Sequence, residues 1–163
     1  PNKYLKKNFM KTLKLIPILL CVFMLNVASM CSNDDNNSNP PADPTPVINT
    51  VNQGTWRITL YNDSGTIKTS NFTGYNFTFG SGNALTAANG SNTYNGTWSV
   101  TSGDSNDDNP SNDLDFNIGF STPANFADLT DDWDIVTYTA SKIELRDVSG
   151  GNGGTDLLTF EKN

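Results

Sequence analysis

The chain has 163 residues, 36% of them hydrophobic and 17% charged, a length that suits one ordinary domain with extensions. Five lysines precede residue 15, whereas all 17 acidic residues follow Cys31 with only five basic ones, a formal charge of −12 for that part. So acidic a surface repels phosphate backbones and excludes nucleic acid, and the lack of any histidine removes the commonest general base and metal ligand.

In chain order, residues 1–9 read as an upstream extension of a signal peptide that ends at residue 30. Lys11 and Lys14 lead into an apolar run of eleven residues, Leu15 to Leu25. A bilayer span needs roughly 20 such residues, so the run suits the apolar region of a signal peptide. Ala28 and Ser29 then precede Cys31. This arrangement resembles the signal of a bacterial lipoprotein, although Met30 stands where that family carries a small residue. The resemblance implies cleavage before Cys31 and acylation of its thiol, which would anchor the chain to a membrane. Cys21 lies in the segment to be removed, so no disulfide to Cys31 is expected. Ser32, Asn33, Asp34 and Asp35 resemble the export signal that sends Bacteroidota lipoproteins to the outer face of the outer membrane.

Residues 31–50 carry Pro40, Pro41, Pro44 and Pro46 among Asn and Asp, a composition expected of a disordered, solvated tether. From residue 51 to 163 a single all-β domain is expected. Trp56, Ile58 and Leu60 alternate with polar neighbours, as do Tyr75, Phe77 and Phe79, then Tyr94, Trp98 and Val100, then Leu114, Phe116, Ile118 and Phe120. Leu85, Trp133 with Ile135, Ile143 with Leu145, and Leu158 with Phe160 continue the pattern. A period of two marks half-buried strands. Turn signals at 62–65, 80–83, 88–92 and 149–154 join them as hairpins, and "ANFADL" suits one helical turn over a barrel end. The reading is an eight-stranded antiparallel meander closed into a barrel, with a two-sheet sandwich as the rival.

"GTWRIT" (54–59) and "GTWSVT" (96–101) repeat a Gly-Thr-Trp entry to a strand. With "FTF", "LDFNI", "DDWDI", "KIELRD" and "LLTFEK" in the same order, residues 54–163 resemble the lipocalin-like domain of Bacteroidota lipoproteins. That resemblance implies a lipocalin-like barrel. An eight-stranded barrel is just wide enough to be filled by side chains or to hold one small ligand. Twenty bulky inward groups leave little room, so the expected interior is mostly packed, with at most a small pocket at one mouth. Trp56, Phe77, Trp98, Phe116 and Trp133 are the candidate lining of such a pocket for a small apolar ligand.

Asp104, Asn106 and Asp108 alternate as in a calcium loop, but Asn109 replaces the usual glycine, so any Ca²⁺ site is expected to be weak. Asp131, Asp132 and Asp134 flank Trp133 and read as a solvated strand entry rather than a catalytic pair. With no nucleophile–base pair in view, the expectation is a monomeric, non-enzymatic, outer-membrane lipoprotein. It would bind a small apolar ligand or, with a solid barrel, a surface protein.

Overall fold

The computed structural model describes residues 42–102, 114–149 and 153–163. Among them lie the strands β1 (Trp56–Asp63), β2 (Thr66–Ile67), β3 (Asn76–Phe79), β4 (Ala84–Ala88) and β5 (Thr93–Ser102). They continue with β6 (Leu114–Gly119), β7 (Asp131–Tyr138), β8 (Lys142–Val148) and β9 (Thr155–Lys162). Every neighbouring pair is antiparallel, in the ring β1-β3-β4-β5-β6-β7-β8-β9, and β9 returns to β1 from Trp56↔Lys162 to Asn62↔Leu157. The eight long strands thus form a closed barrel and not a sandwich. The two-residue β2 only extends the hairpin after β1, across a turn in which Ser64 and Gly65 both take positive φ.

Ring closure is uneven. β1 meets β3 at one pair, Trp56↔Phe77. Beyond it the wall is completed by a 3₁₀ turn at Thr69–Phe72, where Thr69 Oγ1 accepts the Tyr61 N–H at 2.8 Å. At the Trp56 end, the N–H of Asn163 donates to the carbonyl of Thr55 at 3.0 Å.

Fifteen of the twenty side chains expected to point inward are buried, and Leu60, Tyr75, Tyr94, Leu114 and Ile135 are half-buried. Leu60 departs for a definite reason. The β1–β9 register slips between Ile58 and Leu60, so Thr59 is the extra residue of a bulge and the alternation inverts beyond it. Tyr61, on the outward parity by simple alternation, is buried instead. A second slip, between Ile135 and Thr137, makes Val136 the extra residue of a bulge, where it is 56% exposed.

The expected tether does not extend to residue 50. Thr45–Val51 forms a helix, α1, with Pro46 in its first turn, where proline is tolerated, and Asp43 Oδ1 accepting the Thr45 N–H at 2.9 Å. Val47 and Val51, four apart, share one helix face and are fully buried over the Trp56 end of the barrel. At the opposite end the expected helical turn forms as α2 (Ala124–Ala127), which drives Phe126 and the following Leu129 into the core. Both mouths of the barrel are therefore covered.

Candidate functional site

The two Gly-Thr-Trp entries use their glycines differently. Gly54 sits at φ +83, a conformation that side chains disfavour, with Lys162 close by. Gly96 needs space: a Cβ there would lie 2.3 Å from the Gly119 carbonyl oxygen. The tryptophans share one device with Trp133. Each indole N–H donates to a backbone carbonyl of a closing segment: Trp56 to Val51 at the end of α1 (2.9 Å), Trp98 to Gly80 in the β3–β4 turn (3.0 Å), and Trp133 to Leu129 after α2 (3.1 Å). A buried indole N–H must find an acceptor, and here the acceptor fixes a lid to the wall. Tyr61 does the same with its hydroxyl, which donates to the Asp128 carbonyl at 2.7 Å. Burial first, and nearby carboxylates such as Asp63 second, push that phenol up to about 12.

The five expected lining residues come together in one core, and each is engaged there. Phe77 meets Phe160, Phe126, Phe72 and Phe120 at ring distances from 5.4 to 6.5 Å, and Phe116 meets Phe79 at 5.5 Å and Trp98 at 5.9 Å. Edge-to-face, tilted and stacked ring contacts at these separations are those of a filled interior. Lys162 stands over the Trp56 indole, its ammonium 5.6 Å from the ring centre. A recess of about 220 Å³ opens at the Trp56 end, between Ile48 and Asn52 of the α1 region, the 80–83 turn, and Trp98, Ser99 and Val100.

The opposite end is acidic. Lys68 bridges Asp63 and Asp128, and these two hydrogen bonds raise its pKa. Asp134 accepts from the Arg146 guanidinium at 3.2 Å. Asp131 is half-buried at the start of β7 rather than fully solvated, and its carboxylate accepts the Asp132 N–H at 3.0 Å. Burial chiefly, then the Asp132 and Asp147 carboxyls, push it up to about 6. The folded chain therefore holds that proton more tightly than the unfolded chain. Stability should fall as pH rises from 3.8 towards about 6 and then level off. Melting curves of wild type and Asp131→Asn should separate across that window, with the variant the more stable above it. A gap that is constant with pH would contradict this account.

Cys31, Ser32, Asn33, Asp34 and Asp35 lie outside the described residues, as do Asp104, Asn106 and Asp108. Among the described residues no group of three or more Cys, Asp or Glu is placed to hold a metal ion, and no helix is long and apolar enough to cross a membrane. Sequence reasoning missed Val47, Val51 and Leu129 as closing residues; the Val spacing of four was the only signal for α1. No protein-family model, curated protein or solved structure matches the chain.

Proposed function

We propose that this chain is a surface lipoprotein of the lipocalin-like type, acylated at Cys31, whose barrel works without catalysis as a rigid module that presents its exterior to a partner. The observation that carries the reading is the filled interior beneath two lids, each fastened by a tryptophan. A barrel built this way has spent its interior on stability, which leaves the outer face for recognition. The acidic export-type stretch after Cys31 supports placement on the outer face of the outer membrane.

The test has two arms. Cells fed an alkyne fatty acid should label the wild-type chain, and Cys31→Ser should lose both the label and the membrane fraction. Titration of the full chain with N-phenyl-1-naphthylamine should show no saturable uptake. Label retained by Cys31→Ser would remove the anchor, and saturable uptake would remove the solid-barrel role.

A second reading is favoured by the recess beside Trp98, whose 220 Å³ suits a small apolar ligand at the mouth. Saturable probe uptake that Ile48→Trp abolishes, by filling the recess, would establish it.

A further inference from the structure

We infer that the free edge of β5 takes an extended, cationic peptide as an added strand. This deepens the reading of the exterior as the working surface and rests on it. The orientation of the backbone groups follows from two hydrogen bonds. The Trp98 N–H donates to Asn83 (3.0 Å) and the Asn89 N–H donates to the Asn92 carbonyl (3.1 Å), so even-numbered residues of β5 turn their backbone groups towards β4. Odd-numbered residues, Thr93, Asn95 and Thr97, turn theirs the other way, towards β6.

Thr97 meets Gly119, and the β5–β6 ladder stops there. Continuing the register would set Ser121 opposite Asn95. The chain instead leaves β5, because Thr130 Oγ1 accepts the Phe120 N–H and donates to the Phe120 carbonyl, both at 2.9 Å. That hydroxyl holds the end of β6 against the start of β7. The N–H and C=O groups of Thr93 and Asn95 are left without a partner among the described residues, and both residues are exposed. An open groove of about 460 Å³ runs along this edge, between Asn95, Gly96 and Thr97 on one side and Gly119, Phe120, Ser121 and Thr130 on the other.

Unpaired edges are ordinarily guarded by lysine, proline, other charges or a bulge. The segment 92–97, "NTYNGT", has no lysine, proline or charged residue, and its pairing with β4 is regular. Its outward side chains, Thr93, Asn95 and Thr97, are short and polar, which permits close approach of another main chain. The charge of the partner follows from the flank. Asn117 pairs Ser99 on one side and Asp132 on the other, so the exposed Asp132 lies one strand beyond the groove, beside Asp131. The whole region after Cys31 is acidic, so a strand bearing Lys or Arg is attracted and an acidic one repelled.

The test uses the full chain and fluorescein-labelled acetyl-Lys-Thr-Val-Lys-Val-Thr-Lys-amide. Saturable anisotropy is expected, with amide NMR shifts confined to Thr93–Thr97 and Ser121. N-methylation of alternate peptide amides should weaken binding roughly tenfold or more, as lost main-chain hydrogen bonds require. Glutamate in place of the lysines should abolish it, and Asp132→Asn should weaken it a few-fold and flatten its salt dependence. Asn95→Pro removes one edge donor and should abolish binding; if that variant misfolds, the N-methylated peptide still decides on wild type. Binding indifferent to N-methylation, no binding by a folded chain, or sedimentation showing two copies joined through this edge would each overturn the proposal. A failed peptide with no naphthylamine uptake sinks the edge alone, whereas saturable uptake sinks the exterior reading beneath it.

Discussion

Phe77→Ala is expected to lower stability by about 3–5 kcal/mol, the range for deleting a buried aromatic ring. Phe77 is fully buried and its ring touches aromatics contributed by the 3₁₀ turn (Phe72), the β6–β7 connection (Phe120), α2 (Phe126) and β9 (Phe160). It also faces Trp56 in the one residue pair that joins β3 to β1. The substitution therefore opens a cavity at the thinnest seam of the ring, where the wall has little freedom to collapse without parting strands. A domain whose total stability is about 5–15 kcal/mol would lose a large share of it. Urea unfolding followed by tryptophan fluorescence should show a lower midpoint with an unchanged slope. Val136→Ala, at a bulge position 56% exposed, should stay within about 0.5 kcal/mol and serves as the comparison. A Phe77→Ala loss below about 1 kcal/mol would mean that the interior is not packed around this ring.

The second large effect is expected at Gly96. An added Cβ meets the Gly119 carbonyl oxygen at 2.3 Å and two Phe120 ring atoms at 2.8 and 2.9 Å. The ring can yield, but the carbonyl belongs to the last residue pair of the β5–β6 ladder and cannot retreat without opening it. Gly96→Ala should cost about 1–3 kcal/mol, and Gly96→Val more, as overpacking at a rigid backbone demands. Gly90→Ala is the contrast. Nothing lies within 4 Å of that position, so only its φ of +84 resists a side chain, at about 1–2 kcal/mol. Adding Phe120→Leu to Gly96→Ala should recover part of the loss and no part of the Gly90→Ala loss. Thermal unfolding of these variants, with Phe120→Leu also combined with Gly90→Ala, reads all of these. Full recovery would assign the clash to the ring alone.

The strands were legible because alternation is a local property, visible in runs such as Leu114 to Phe120 without knowledge of any partner. The bulge at Thr59 was not. It exists only in the ladder between β1 and β9, and so Leu60 and Tyr61 exchange the faces that simple alternation assigns them. Helix α1 was hidden by composition, since Pro44, Pro46 and the Asn residues speak for a tether while only Val47 and Val51 speak for burial. The five aromatic candidates are all buried in the barrel core. Whether space remained beside them depended on summed volumes and on two lids, neither of which a strand pattern records. The β5 edge was equally unreadable, because the early end of its ladder is set by one distant hydroxyl, that of Thr130.

The hydrogen bond from Asn163 to Thr55 brings the last described residue against the entry to the first strand. With β1 and β9 already paired along six rungs, the circuit of strands has no natural first member. A flexible connection from Asn163 back to the start of α1, with a new opening cut in the 89–92 turn at the far end, would yield a circular permutant that keeps every rung.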